Sequence, residues 1–348
     1  MPMQGIQSGV AAKLMKGVHE IMLRDRPRQE AYKNAILSNA SLFKDKIILD
    51  VGAGTGILSA FCAKAGAKLV YAVEASNLAK IALKVMEENN ITSTVKVIHS
   101  KIEEFILPSS AEKVDIIVSE WMGFYLLHEG MLDSVLYARD NFLKPDGLMF
   151  PSEATIYVAP CAVPCLFDDW EEVDGVRLTA FGTMLRQQKS TKPEIALISP
   201  KDLLHSGVAM HWMNLMDITL EDLNSIVFQE VVPVKKLGKH QGFCIWFDCR
   251  FPAESYEDSI VLSTSPNSPA THWKQCVVVL PETACEDLEE NAPVSFKISM
   301  KRNGENSRKY DLEVELLDPN EVEHPVPCEC HLTKCILIKA HLQTMDTS

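Results

Sequence analysis

No run of about twenty apolar residues occurs in the chain, so a membrane-spanning helix is not expected. None of the ten cysteines belongs to a CxxC pair, which fits free thiols in a reducing compartment. Basic residues are in deficit: Lys+Arg number 34 against 47 Asp+Glu, for a formal charge of −13. Strong direct binding to nucleic acid is disfavoured, because phosphate contact rewards basic surfaces; a cationic partner is favoured instead. The first 31 residues hold no phenylalanine or tyrosine. The leading stretch has lysines but no continuous apolar core, so no signal peptide is expected. Repeats and low-complexity tracts are also missing.

What is present is a 348-residue chain, 47% hydrophobic, long enough for two domains and a substantial core. Residues 11–40 carry apolar side chains at helical spacing, interrupted at Pro27. From 46 to 150 short apolar strands ("KIILDV", "LVYAVE", "VKVIHS", "VDIIVSE", "LMF") alternate with helices at 57–65, 77–89 and "MLDSVLYARDNFL". In the second of these, Leu78, Ile81, Leu83 and Val85 are expected inside. That alternation predicts a parallel sheet covered on both faces. After Pro151 strands follow one another without regular helices, down to a terminal "CILIKA". This predicts an antiparallel barrel or sandwich, with one helical insertion at about 165–187. The expected division is an N-terminal helical segment 1–40, an α/β domain 41–150 and a β domain 151–348.

Asp50 ends the first strand and opens "DVGAGTG". Gly52, Gly54 and Gly56 bare the backbone at the carboxyl edge of the sheet, where ligands of open α/β folds bind. Glu74 ends the second strand, placed to grip two ribose hydroxyls. A dinucleotide fingerprint would read GxGxxG; here Ile57 stands where the last glycine belongs. GxGxG followed by an acid favours S-adenosylmethionine, with a nicotinamide cofactor as runner-up. No hydride-transfer constellation supports the runner-up.

After the fourth strand comes "SEWMGFYLLHEGM". Glu120 and Glu129 lie among apolar residues, where carboxylates are costly without a cation. A planar guanidinium fits two carboxylates, which can localise its charge on one nitrogen and stabilise proton loss as another nitrogen is methylated.

"ILDVGAGTGIL", "SEWMGFYLLHEGMLDSVLYARDNFLKPDGLMFP" and "STSPNSPATHWKQ" together resemble the protein arginine N-methyltransferases, from about His19 to the end of the chain. The resemblance implies a Rossmann-like S-adenosylmethionine-dependent methyltransferase domain, then an antiparallel β-barrel with an inserted helical dimerisation arm. It implies methyl transfer to arginine of arginine-rich proteins or peptides, histones or RNA-binding proteins among them, giving monomethyl and asymmetric dimethyl products. It also implies a homodimer, with cytoplasmic or nuclear location; the charge balance and the lack of a long apolar run add the expectation of neither direct nucleic-acid nor membrane partners.

By the same resemblance Glu120 and Glu129 hold the substrate guanidinium, and His272 of "THW" pairs with Asp25. Met22, Trp121, Met131 and Trp273 line the substrate. Arg28 takes the cofactor's carboxylate with His19 beside it, Glu74 takes the ribose, and Ile102 and Glu103 frame the adenine; Asp50 and the three glycines complete that site. Leu166, Phe167 and Trp170 would anchor the arm on a partner subunit.

One departure stands out. Where family members carry YFxxY, this chain has "SGVAAKLMK", with Gly9, Val10, Ala12 and Lys13 at the matching places. Weak cofactor binding, and low or substrate-restricted turnover, are the expectation. The alternative is a weak or inactive member that binds arginine-rich peptides or regulates a partner. The tail "CECHLTKC" (Cys328, Cys330, His331, Cys335) is spaced too tightly for the usual zinc knuckle. A terminal strand with buried thiols and no metal is the plainer expectation.

Overall fold

The computed structural model describes residue 17, residues 19–108 and residues 113–346. Gly9, Val10, Ala12 and Lys13 lie outside them.

Five strands build the first sheet: β1 (Ile47–Val51), β2 (Leu69–Glu74), β3 (Val95–His99), β4 (Val114–Val118) and β5 (Leu143–Phe150). Their order is β3-β2-β1-β4-β5, and every neighbouring pair is parallel. β1 is buried almost throughout, as its apolar sequence requires in a sheet covered on both sides. The chain winds outward from β1 through β2 to β3, then returns to place β4 on the other side of β1. That reversal opens a crevice at the carboxyl ends of β1 and β4. The loops 52–56 and 119–130 both lie there.

The second domain is antiparallel. Its strands are β6 (Glu153–Cys161), β7 (Glu194–Ala196), β8 (Val208–Asn214), β9 (Ser225–Pro233), β10 (Gly238–His240), β11 (Gly242–Arg250), β12 (Val261–Ser263), β13 (Gln275–Val279), β14 (Glu286–Leu288), β15 (Pro293–Arg302) and β16 (Tyr310–Leu316). They pair as β7-β13-β11-β6-β8 with β12 on β11, as β16-β15-β9 and as β10-β14. Together they form the β-barrel domain, filled by Phe243, Phe247, Phe296, Ile298 and Met300. β8 is not evident from sequence, because His211 and Asn214 interrupt its apolar residues.

The two domains share a continuous apolar core. Tyr32 meets Phe251 edge-on with ring centroids 4.7 Å apart, and Phe43 meets Phe150 at 4.8 Å. Helix Arg26–Leu37 supplies Tyr32, which touches both domains, at Ser119 after β4 and at Phe251 after β11.

Several expectations are corrected. The terminal "CILIKA" is no strand; it lies in helix Thr333–Asp346. A short apolar run has no period that separates strand from helix, and a helix satisfies its own backbone without a sheet edge. Helix Ala79–Glu88 buries Ala79, Ala82 and Met86, while Ile81 and Leu83 are exposed. The spacing of Ala79, Ala82 and Met86 makes one stripe, and their small or flexible side chains permit close approach to the sheet. The first helix breaks at Asp25, not Pro27: Pro27 sits in the first turn of Arg26–Leu37, where no hydrogen bond is lost.

The arm folds as Pro164–Phe167, a 3₁₀ turn Asp168–Trp170 and helix Thr179–Lys189. Leu166, Phe167 and Trp170 are half-buried on their own subunit. Trp170 packs edge-on against Phe181 at 4.9 Å, and the Arg186 guanidinium lies 5.0 Å from the Phe167 ring. The arm's exposed apolar residues are Val173, Val176, Phe181 and Met184.

Candidate active site

The glycine loop turns through left-handed backbone at Gly52, Gly54 and Gly56, with φ of 72°, 56° and 81°. The Gly52 and Ala53 N–H groups donate to the Val73 carbonyl at 2.9 and 3.0 Å, tying the loop to β2. A Cβ at Gly52 would lie 2.2 Å from the Met131 Cε, and one at Gly56 2.7 Å from the Met86 Cε. At Gly54 the nearest atoms are those of the His19 ring, 3.9 Å away, so bare backbone faces the cleft. Glu74 braces this loop: Oε2 accepts from the Gly54 N–H at 2.8 Å and Oε1 from the Ser76 N–H at 2.7 Å. Asp50 is fully buried and accepts from Ser59 Oγ at 2.6 Å. Burial pushes its carboxyl up to about 7, against the Ser59 hydrogen bonds, and its Oδ1 has no partner among the described residues.

A cleft of about 50 Å³ lies between this loop and helical residues 19–24. Of the expected residues, it brings together His19, Met22, Arg28, Gly52, Gly54 and Glu120. His19 is half-buried; burial lowers its pKa, against the pull of Glu74.

Arg28 and Glu120 form a buried ion pair, their side chains 6% and 5% exposed. Arg28 Nε and Nη2 donate to Glu120 Oε2 at 3.0 and 2.8 Å, and Nη1 donates to the Met22 carbonyl at 3.2 Å. A guanidinium has five N–H donors, so two have no acceptor among the described residues and suit an incoming anion. Glu120 Oε1 accepts the Met122 N–H at 3.2 Å, which leaves that oxygen a lone pair. Glu120 thus touches the cofactor side as well as the expected substrate side.

Asp25 joins three elements. Its Oδ1 caps helix Arg26–Leu37 by accepting the Arg28 N–H at 3.1 Å. Its Oδ2 lies 2.8 Å from the His272 N–H and 2.6 Å from His272 Nδ1. Burial alone would raise the Asp25 pKa; the His272 and Arg28 hydrogen bonds outweigh it and hold the carboxyl below its ordinary value. Trp121 and Trp273 are buried, and the Trp273 indole N–H donates to the Met122 carbonyl at 2.8 Å. Ile102 is buried beside β3, while Glu103 is exposed and accepts from Ser134 Oγ at 2.7 Å.

Glu129 is exposed, with φ of +79°. Its N–H donates to the Arg308 carbonyl at 2.8 Å, and Arg308 Nε donates to its carbonyl at 2.7 Å. Arg302, on β15, forks onto Asp133 at 2.5 and 2.9 Å. The turn between β15 and β16 therefore grips the glutamate loop. Sequence reasoning misses Arg308 because it lies 179 residues from Glu129. Tyr32, whose hydroxyl donates to the Ser119 carbonyl at 2.8 Å, is likewise missed.

Residues 48–147 match the methyltransferase domain family, and residues 152–317 the arginine methyltransferase oligomerization subdomain. The chain is 39% identical to protein arginine N-methyltransferase 6 of Danio rerio, over 88% of each chain. The chain belongs to the protein arginine N-methyltransferases. It is also 35% identical to a probable protein arginine N-methyltransferase 6 of Arabidopsis thaliana, over 86% of this chain and 76% of that one. Among solved structures, a Trypanosoma brucei PRMT1 enzyme–prozyme heterotetrameric complex with AdoHcy aligns with a TM-score of 0.76. Identity there is 32%, over 89% of this chain and 96% of that one. A PRMT6–SAH crystal structure aligns with a TM-score of 0.74 at 30% identity, over 86% and 99%.

This arginine methyltransferase uses S-adenosylmethionine as its methyl donor, and the residues present suit that ligand. Arg28 offers two spare donors to a carboxylate, Gly54 leaves bare backbone, and Glu74 retains acceptor capacity on oxygens that each take one hydrogen bond.

Proposed function

We propose that the chain makes monomethylarginine and asymmetric dimethylarginine on arginine-rich protein or peptide substrates, as a homodimer in the cytoplasm or nucleus. The observation that carries this reading is the buried Arg28–Glu120 pair at the mouth of the glycine loop. It sets an anchor for an amino-acid carboxylate beside a carboxylate for a guanidinium.

S-adenosylmethionine supplies an electrophilic methyl group when bound. Arg28 holds its carboxylate and Glu74 its ribose. Glu120, through its free Oε1 lone pair, and Glu129, held by Arg308, take the guanidinium and favour charge on the nitrogens that do not react. His272 is fixed against Asp25 and closes the site from the barrel. Met131, over Gly52, and Met22, on the cleft wall, are the side chains whose packing would decide whether a second methyl goes on the nitrogen already modified.

The experiment is transfer of labelled methyl to a glycine–arginine-rich peptide, followed by mass spectrometry of the modified arginines. Monomethyl and asymmetric dimethyl products are expected; a mainly symmetric product refutes the reading. A second reading, a weakly active member that chiefly holds arginine-rich peptides, rests on the lack of Phe and Tyr in residues 1–31. Peptide binding with no label transferred would favour it.

A further inference from the structure

Past residue 317, where the oligomerization subdomain ends, the chain gathers a second set of reactive side chains. His324 Nδ1 lies 3.4 Å from Cys328 Sγ, 3.4 Å from Cys330 Sγ and 3.2 Å from Cys335 Sγ. All four ligand atoms lie within 4.8 Å of one another, and the three thiols are buried. We propose that these four residues form a closed, structural Zn²⁺ site of the Cys₃His type.

The geometry suits the ion. Zinc bonds of ~2.3 Å to sulfur and ~2.0–2.1 Å to nitrogen give a tetrahedron with edges of about 3.5–3.8 Å. Thiolates and an imidazole are the donor set that zinc takes in structural sites. The tautomer is also prepared. His324 Nε2 lies 2.7 Å from the Pro319 carbonyl, so it carries the proton and leaves the Nδ1 lone pair toward the sulfurs. Lys334 Nζ fastens the same loop by donating to the carbonyls of Pro319, Asn320 and Val322 at 2.9, 3.3 and 3.1 Å. The Cys330 N–H points to Cys328 Sγ at 3.5 Å, a contact that favours a thiolate.

Without a metal the arrangement makes little sense. Three thiols converge on one nitrogen that can accept a single hydrogen bond. The buried cluster here consists of the three cysteines, with Leu332 packed against it, and is separate from the main core. Val326, Ile336, Leu337, Ile338 and Met345 nearby are exposed, so apolar burial does little to hold this segment. Small units with so little core need a cross-link. A zinc ion would tie the loop carrying His324, Cys328 and Cys330 to the first turn of helix Thr333–Asp346 at Cys335. On binding, each thiol gives up a proton to solvent, three in all, while the imidazole stays neutral. The histidine ligand is His324, not the His331 that the sequence spacing suggests. The His331 side chain is exposed and outside the cluster, and its backbone N–H donates to the Asn291 carbonyl at 3.0 Å, docking the segment beside the barrel.

The test is metal analysis of the full chain purified from zinc-supplied cells, by native mass spectrometry and by inductively coupled plasma mass spectrometry. One zinc per chain is expected. Cobalt reconstitution should give the intense visible bands of a tetrahedral thiolate site. Cys330→Ser and His324→Ala should lose the metal, whereas His331→Ala should keep it. The proposal is overturned by a wild-type chain carrying less than about a tenth of an equivalent of zinc, or by a disulfide among Cys328, Cys330 and Cys335. Metal retained in His324→Ala but lost in His331→Ala would overturn the ligand set. The wild-type measurement decides the matter even if a variant fails to fold.

Discussion

Removing the negative charge from each of the two glutamates should separate their structural roles. Glu120 is 5% exposed and receives two hydrogen bonds from an Arg28 that is itself 6% exposed. Glu120→Gln keeps the shape but leaves a buried guanidinium with no counter-charge. A hydrogen bond to a charged group is worth about 1.5–3 kcal/mol, so a loss of at least that size is expected. Glu120→Ala removes one partner of a buried pair outright, at a cost of about 3–5 kcal/mol. Glu129 is exposed, and its carboxylate accepts no hydrogen bond from a described residue. Glu129→Gln should therefore change stability by less than about 0.5 kcal/mol.

Both variants should lose most methyl transfer. Chemical denaturation reads the stability difference, and calorimetry with S-adenosylhomocysteine reads the cofactor site. Glu129→Gln should bind that ligand as the wild type does, whereas Arg28→Ala should bind it at least tenfold more weakly, about 1.4 kcal/mol. Equal denaturation midpoints for Glu120→Gln and Glu129→Gln would refute the pairing argument. Normal turnover in either would refute the assignment of the guanidinium site.

Asp50 should make the fold less stable as pH rises. Its carboxyl titrates near 7 in the folded chain and near ~3.9 unfolded, so its contribution is fully present below pH ~4 and is lost as pH climbs toward 7. Relative to Asp50→Asn, the wild type should lose about 2–3 kcal/mol between pH 5 and 7 in denaturant titrations; parallel curves would count against a buried, unpartnered Oδ1. Arg308→Ala should lower turnover roughly tenfold by freeing the Glu129 backbone, with cofactor affinity unchanged. Unaltered kinetics would remove the grip of the β15–β16 turn from the argument. Changing Val176, Phe181 and Met184 to serine should turn a dimer into a monomer by sedimentation, because these residues expose apolar surface on the arm. A wild type that is monomeric at micromolar concentration would contradict this.

The Rossmann-like sheet was legible because its strands are short apolar runs, three of them (β1, β2 and β4) leading into α-helices, and the chemistry sits at fixed places on that pattern. Glu120 and the glycine loop announce themselves by following strands. The barrel was legible as a class, but its three-residue strands β7, β10 and β14 are too short to show a period. The arm's exposed apolar residues Val173, Val176, Phe181 and Met184 were not singled out in sequence; Leu166, Phe167 and Trp170, which read as anchors, are half-buried, with Phe181 against Trp170 and Arg186 beside Phe167. Long-range pairs such as Arg28–Glu120 and Arg308–Glu129 leave no local trace. In the tail, "CILIKA" has the composition of a buried strand, and His324 lies outside the cysteine run that draws the eye. Only the fold of 319–335 brings it to the thiols.

Asp25 is a hinge pin as well as a cap. One carboxylate starts helix Arg26–Leu37 and holds both N–H-bearing groups of His272, while the residues just before it, His19 and Met22, wall the cleft. The cleft of about 50 Å³ is smaller than the ~300–1000 Å³ of a small-molecule pocket, so that wall is expected to move when a nucleoside enters. The wall runs directly into Asp25, and the barrel loop at His272 is tethered to the same carboxylate, so movement of the wall would pull on that loop. The expected outcome is an ordered sequence, nucleoside before peptide, which initial-rate kinetics with varied cofactor and peptide would check. A peptide arriving early would block the swing and should act as a dead-end inhibitor at high concentration.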